Sequence, residues 1–117
     1  MELELKNGDY VPDGVGGLRR VAGREALLQR VLFRLTARRG QFPFWSTLGS
    51  RLWQLGQLPP AQRPGAAAQY VAEALAEEAG VTVEAVELTP GPEGTAAVRA
   101  ALAYGGEELA VTLDIRV

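Results

Sequence analysis

The residues with the most distinctive chemistry lie in one segment, residues 38–53, which reads RRGQFPFWSTLGSRLW. It combines guanidinium groups with the rings of Phe42, Phe44, Trp45 and Trp53. Rings and guanidiniums of this kind can stack on nucleic acid bases, and the same residue types dominate the binding energy of many protein interfaces. A tryptophan in a small domain can also be a core filler. The pattern alone leaves these three uses open.

Acid–base chemistry has weaker support. The adjacent pairs Glu77/Glu78 and Glu107/Glu108 do not converge on a substrate, because neighbouring residues on a helix or strand point in different directions. The glycine-rich stretch DGVGGLRR lacks the spacing of a phosphate-binding loop. The chain has no cysteine and no histidine, which excludes thiol nucleophiles, thiolate metal sites and imidazole bases. We predict a protein that is not an enzyme, with no catalytic residues, no cofactor and no metal site.

Length and composition favour one ordinary domain. The chain has 117 residues, 47% of them hydrophobic, which is enough for a core without disulfides. We therefore predict a single domain over residues 1–117. No apolar run approaches the roughly 20 residues of a membrane span, and no signal peptide opens the sequence. We expect no membrane contact and synthesis in a cytoplasm.

Charge is distributed unevenly along the chain although the net charge is only −2. Residues 19–63 hold nine arginines and the single acid Glu25, whereas residues 64–117 hold nine acids and two arginines, Arg99 and Arg116. Such asymmetry is typical of an interaction surface. The alternative is that the two halves attract each other within the fold.

Two helices are predicted from hydrophobic periodicity. Residues 23–38 place leucines and valines at i, i+3 and i+4, and Gly40 ends the pattern. Residues 66–78 form the second helix, which Gly80 ends. Between them, STLGSRLWQL predicts a short helical turn, and GQLPPAQRPG predicts a linker.

Glu77 and Glu78 fall at the end of the second predicted helix. Acids are unfavourable there, by a few tenths of a kcal/mol each, because the helix dipole is negative at its C-terminus. A local rule broken without visible benefit indicates a functional role for Glu78. Plain solvent exposure of both side chains is the alternative interpretation.

The last third of the sequence predicts a β-meander. The alternation in VTVEAVEL changes phase, which indicates a bulge near Ala85. Gly105-Gly106 suits a two-residue hairpin turn. Counting back across that turn pairs Leu102 with Leu109, Ala100 with Val111 and Val98 with Leu113, so that both strands present their apolar sides together.

These elements predict an α+β fold in which two main helices pack on one face of a three-stranded antiparallel β-meander. Residues 1–17 are predicted to be an extended N-terminal arm, in which ELELKNG forms a short edge strand. The opposite face of the meander is predicted to face water, and it carries Arg99, Glu108, Thr112, Asp114 and Arg116.

The order of these elements resembles a known family. The helix LLQRVLFRLTARRG, the irregular FPFWSTLGSRLWQL, a helix ending in acids and a β-meander are similar to the baseplate wedge, or sheath-initiator, family of contractile phage tails. This lysozyme-like wedge family has relatives in type VI secretion baseplates. The resemblance covers roughly residues 18–116, and its most telling part runs from Thr36 through Leu-Gly-Ser-x-Leu to Leu52.

The family commonly carries Glu-Pro-Arg where the second helix meets the first meander strand. This chain has Glu78-Ala79-Gly80 there, so that only Glu78 matches. The resemblance implies a virion structural protein of a phage or prophage tail baseplate, made in the host cytoplasm and present in several copies around the tail tube. It also implies other baseplate, sheath and tube proteins as partners, with a sheet edge that could pair with a strand of the first sheath subunit.

The leading hypothesis is therefore protein–protein assembly, with self-association as a further contact. The alternative is a small nucleic-acid-binding adaptor that uses the arginine-rich N-terminal half. Against the alternative, the net charge of −2 gives weak attraction to a polyanion and no lysine cluster supplies phosphate contacts. The candidate partner-binding residues are Arg38, Arg39, Phe42, Phe44, Trp45, Arg51, Trp53 and Glu78.

Overall fold

A computed structural model describes residues 3–6, 9–11 and 22–117. Its strands are β1 (Leu3–Lys6), β2 (Asp9–Val11), β3 (Val81–Pro90), β4 (Thr95–Tyr104) and β5 (Glu107–Arg116). Its helices are α1 (Ala22–Thr36) and α2 (Arg63–Ala74), with two 3-10 helices between them at Leu52–Gln57 and Pro60–Gln62. The predicted α+β class is confirmed.

The meander formed by β3, β4 and β5 follows the predicted register. All three predicted pairs, among them Leu102 with Leu109, are observed. Gly105 and Gly106 both have positive φ, +59° and +80°, as a tight hairpin turn between right-twisted strands requires. The register of β3 against β4 shifts between Val83 and Ala85, which confirms the predicted bulge.

The sheet is larger than predicted, with five strands in the order β2-β1-β5-β4-β3. β1 pairs in parallel with β5, and β2 pairs antiparallel with the other side of β1. The predicted N-terminal strand therefore exists, but it lies between two neighbours and not at the sheet edge. Residues 12–17 of the predicted arm lie outside the described residues.

One face of the meander packs against the helices. The core lies between this face and the apolar sides of α1, α2 and the first 3-10 helix, as the sequence predicts. Burying a leucine or valine side chain stabilises a fold by about 1.5–3 kcal/mol. The largest fully buried side chains are Leu27, Leu28, Leu35, Leu52, Leu55, Leu102, Leu109, Val31, Val71, Val98 and Val111.

The opposite face of β5 differs from the prediction. Thr112, expected to face water, is buried, and so is its neighbour Ala110. The prediction gave β5 only one neighbouring strand, β4. In the structure β1 also pairs along the other edge of β5, which makes β5 an inner strand of the sheet. Glu108, Asp114 and Arg116 are exposed as predicted.

Helix α2 is displaced towards the N-terminus relative to its prediction. It begins at Arg63, within the stretch predicted to be a linker, and it ends at Ala74. Pro64 in the first turn is compatible with a helix because the amide it lacks would have no intrahelical acceptor. Beyond Ala74 the chain tightens into turns, in which the amide of Glu78 donates to the carbonyl of Leu75. Glu77 and Glu78 are therefore outside the helix, and the predicted dipole conflict does not arise.

Helix α2 contains one glycine, Gly65, whose replacement is expected to stabilise the protein. An added Cβ at Gly65 meets nothing within 4 Å, and its φ is not positive. Gly65→Ala should raise the free energy of unfolding by about 0.4–1 kcal/mol, because alanine has less conformational freedom to lose in the unfolded chain. Thermal unfolding measures this as an increase in Tm; a decrease would contradict the helical assignment of this turn.

Candidate interaction surfaces

The aromatic loop, residues 38–53, is anchored at its base by backbone hydrogen bonds. The amide of Arg39 donates to the carbonyl of Ser50 at 3.0 Å, and the amide of Ser50 donates to the carbonyl of Ala37 at 2.8 Å. The buried Ser50 hydroxyl donates to the carbonyl of Leu35 at 2.6 Å. Both ends of the loop are thus attached to the end of α1, and the tip extends from a fixed base.

Gly49 makes this closure possible. Its φ is +103°, a region that side chains other than hydrogen disfavour. A Cβ atom at this position would lie 2.7 Å from the carbonyl oxygen of Ala37. The two ends of the aromatic loop can therefore touch only because position 49 has no side chain.

Aromatic side chains at the tip of the loop and on α1 are exposed. Phe44 is fully exposed, and Trp45 and Phe33 are about half exposed, at 47% and 51%. The ring of Phe42 lies 6.3 Å from that of Phe33, which joins the loop to the outer side of α1. Trp53 is also exposed, at 39%, so the interpretation of the two tryptophans as core fillers is wrong.

A shallow groove of about 350 Å³, here called the Trp45 groove, lies between α1 and the aromatic loop. The guanidinium carbon of Arg34 lies 5.2 Å from the centre of the Trp45 ring, within the range of a cation–π contact. The walls of the groove are mostly apolar, as in interfaces where aromatic anchors exclude water. The lining residues are Gln29, Arg30, Phe33, Arg34, Trp45 and Leu48.

Glu78 lies beneath this groove and is buried, contrary to the solvent-exposure interpretation. Its Oε2 accepts a hydrogen bond from Arg34 Nε at 2.7 Å, and its Oε1 lies 3.4 Å from Arg30 Nη2. The side chains of Glu78 and Arg34 are only 7% and 11% exposed. The carboxylate of Glu78 is therefore neutralised within the chain, by two arginines one helical turn apart on α1.

Glu77 is the exposed member of the acidic pair. Its carboxylate accepts a hydrogen bond from the Thr47 hydroxyl at 3.1 Å, which ties the aromatic loop to the turn after α2. Its Oε1 also lies 3.5 Å from Arg34 Nη1, a buried atom that makes no hydrogen bond. The Glu77 side chain is half exposed, so this longer ion pair is partly screened by water.

Arg39 and Arg51 both approach Glu73 on α2. Arg51 forms a two-pronged pair with Glu73, with Nε–Oε1 and Nη2–Oε2 distances of 2.9 and 3.1 Å. Its guanidinium carbon also lies 4.6 Å from the centre of the Tyr70 ring. The hydrogen bond to Glu73 raises the pKa of Arg51 above its ordinary value. Arg39 lies farther away, with Nε 3.9 Å from Glu73 Oε1.

Ion pairs of Glu73, Glu77 and Glu78 explain part of the uneven distribution of charge along the chain. Each of these acids, from the acidic half of the chain, pairs with arginines of the basic half. The halves do attract each other within the fold, as the alternative interpretation of the asymmetry predicts. The remaining basic residue of the loop, Arg38, instead stacks over Trp53, with its guanidinium carbon 5.0 Å from the ring centre.

The predicted site residues thus fall into separate groups. Phe42, Phe44 and Trp45 lie around the tip of the aromatic loop, whereas Glu78 pairs with Arg30 and Arg34 of α1. Arg39 and Arg51 stay close to Glu73, whereas Arg38 and Trp53 line a different groove. Sequence reasoning missed the two residues that pair with the buried acid Glu78, namely Arg30 and Arg34. The spacing of Arg30 and Arg34, four residues apart, is a signal that they share one helix face.

A metal-binding group and a membrane-spanning helix are both absent from the described residues. No group of three acidic, cysteine or histidine side chains that could hold a metal ion occurs in residues 3–6, 9–11 and 22–117. Within the same ranges, no helix has the length and apolar character needed to cross a bilayer. Compared with protein-family models, with curated proteins and with solved structures, the chain matches none.

Proposed function

We propose that this chain is a non-enzymatic assembly protein of a phage-like contractile tail, located in the baseplate. In this proposal it docks on neighbouring baseplate, sheath or tube proteins through the tip of its aromatic loop and through the outer edge of β3. The family resemblance in residues 18–116 suggests the kind of assembly. The observation that carries a binding role is the exposure of Phe33, Phe44 and Trp45 on an anchored scaffold.

The exposed rings of Phe33, Phe44 and Trp45, here called the aromatic patch, support docking because removing apolar surface from water lowers the free energy. Burying the apolar surface of a phenylalanine stabilises a complex by about 1.5–3 kcal/mol. The base of the loop is held by the hydrogen bonds of Ser50 and the close approach at Gly49. The loop would therefore lose little conformational entropy when a partner binds. The ordering of a flexible segment is one of the costs of association, and here most of that cost is avoided.

The edge of β3 supports a second contact. In the part of the chain that the structure describes, β3 has β4 as its single neighbour, whereas the outer edge of β5 is already covered by β1. The ten residues of β3 contain Glu84 and Glu87 but no lysine or arginine. An added strand would gain backbone hydrogen bonds there. A partner strand with basic or neutral side chains would suit this edge best.

The nucleic-acid alternative has less support than the sequence allowed. Arg30, Arg34, Arg39 and Arg51 are all engaged with carboxylates of the same chain. Arginines that are already paired release fewer counterions when they meet a phosphate backbone, which weakens the main source of affinity for DNA.

The double variant Phe44→Ala/Trp45→Ala tests the proposal. It removes the two exposed rings at the tip of the aromatic loop and is expected to leave the core intact, since neither side chain belongs to the core cluster. In a strain that produces the tail, we expect negatively stained preparations to contain at least tenfold fewer complete tails, because losing two interface anchors costs about 2 kcal/mol or more each. Thermal unfolding of the purified variant establishes that the fold persists.

The matched control is Gln57→Ala, an exposed polar residue outside both the aromatic loop and β3. It should produce tails in wild-type numbers. Wild-type tail numbers from the folded double variant would remove the loop from the interface. DNA binding whose log affinity falls steeply with log salt concentration would favour the adaptor instead.

A further inference from the structure

Two arginines differ from the other arginines whose side chains the structure describes, because neither a carboxylate nor a hydrogen-bond acceptor pairs with them. Arg30, Arg34, Arg39 and Arg51 pair with glutamates, Arg63 donates to backbone carbonyls, and Arg99 also has a partner. Within the described part of the chain, the guanidiniums of Arg38 and Arg116 make neither a hydrogen bond nor an ion pair. Both line the same groove.

This groove, here called the Arg38–Arg116 groove, has a volume of about 420 Å³. It lies between the end of α1, the first 3-10 helix and the end of β5, and it shares no residue with the Trp45 groove. Its inner wall is apolar, and its rim is charged. The lining residues are Leu35, Thr36, Arg38, Ser50, Leu52, Trp53, Leu113, Asp114, Ile115 and Arg116.

The stacking of Arg38 on Trp53 leaves hydrogen-bond donors available. The guanidinium carbon lies 5.0 Å from the ring centre, and a cation–π contact of this kind leaves N–H groups able to donate hydrogen bonds. The two hydroxyl groups of the groove are already used, because Thr36 donates to the carbonyl of Leu32 and Ser50 donates to that of Leu35. In the described part of the chain, the side-chain donors of the groove that make no hydrogen bond are therefore the two guanidiniums and the indole N–H of Trp53.

We propose that the Arg38–Arg116 groove binds a carboxylate that is attached to an aliphatic group, as in an acidic peptide segment of a partner protein. The planar guanidinium fork of Arg38 matches the two oxygens of a carboxylate. Of the apolar residues that line the groove, Leu52 is buried and Ile115 is half-buried, so Ile115 can contact an aliphatic group.

This inference goes beyond the assembly proposal and does not depend on it, since neither Phe44 nor Trp45 lines this groove. The tail assay with Phe44→Ala/Trp45→Ala tests the loop, whereas the binding measurement below uses the purified chain alone. Each proposal can therefore be refuted while the other stands.

The test uses N-acetylleucine as the probe, because it carries one carboxylate next to one aliphatic side chain. The chain has two tryptophans, and each gives one indole N–H signal in a proton–nitrogen correlation spectrum of labelled protein. Titration should move the Trp53 signal saturably and leave the Trp45 signal in place. N-acetylleucinamide, which has the same shape without the charge, should move neither signal.

Two variants test whether the guanidiniums of Arg38 and Arg116 bind the carboxylate. Arg38→Gln and Arg116→Gln should each weaken N-acetylleucine binding at least about tenfold, since each removes a charged hydrogen-bond donor. Arg30→Gln is the matched control, because it neutralises a half-exposed arginine that lines the Trp45 groove instead. Its affinity should stay within about twofold of wild type.

Several outcomes would overturn the proposal. They are an unmoved Trp53 signal up to the solubility limit of the probe, equal binding of the amide, or an undiminished affinity in both arginine variants. Inorganic phosphate, titrated in the same way, separates the two anion classes. Tighter binding of phosphate than of N-acetylleucine would assign the groove to phosphorylated ligands and reject the carboxylate.

Discussion

Glu78→Gln is expected to lower the free energy of unfolding by about 3–5 kcal/mol, because it leaves the buried guanidinium of Arg34 with only the longer, half-exposed ion pair to Glu77. The Arg34 Nε–Glu78 Oε2 distance of 2.7 Å and the burial of both side chains put this pair among the strong ones. A domain of this size has a total stability of about 5–15 kcal/mol. Urea denaturation should show the loss as a lower midpoint with an unchanged slope.

Glu77→Gln is the matched control, since it makes the same chemical change one residue earlier. The Glu77 side chain is half exposed, and its ion pair with Arg34 is longer, so the loss should stay below about 1 kcal/mol. The double replacement Arg34→Met/Glu78→Leu should recover much of the stability lost in Glu78→Gln, because an apolar pair needs no counter-charge. Equal midpoints for Glu77→Gln and Glu78→Gln would refute the buried pair.

Gly49→Ala is expected to cost about 3 kcal/mol or more, since it combines left-handed backbone strain with overlap of atoms. The new Cβ would lie 2.7 Å from the Ala37 carbonyl oxygen and 2.8 Å from the backbone nitrogen of Arg39. Both atoms belong to backbone that the closure of the aromatic loop holds in place. The same urea titration measures the effect.

Gly40→Ala separates the effect of backbone strain from the effect of atomic overlap. Gly40 also has a positive φ, +88°, but an added Cβ there meets nothing within 4 Å. It should therefore cost only the conformational penalty, about 1–2 kcal/mol. If the two glycine variants unfold at the same urea concentration, the close packing at the base of the loop does not contribute.

The parts of the fold that sequence predicts well are those governed by local rules. The meander register follows from strict alternation and one glycine pair, because a slip of one residue would turn every apolar side chain to the other face. The addition of β1 to β5 was not predictable in this way. Its pairs, such as Leu3 with Leu109, join distant parts of the chain, and no local pattern specifies them.

The candidate sites show the same division. Composition alone identified the aromatic loop, because rings and arginines are concentrated there. The burial of Glu78 was missed because its partner Arg34 lies 44 residues away. The end of α2 at Ala74 was missed for a related reason, since the turns after it bring Glu78 towards α1 and override the helical periodicity.

The parallel pairing of β1 with β5 has a consequence for biosynthesis. Residues 3–6 are synthesised more than a hundred residues before residues 109–112, with which they pair in the sheet. Strand β1 must therefore wait until β5 has been made before its backbone groups find these partners. The joining of β1 to the meander is a late step for a chain that folds while it is being synthesised.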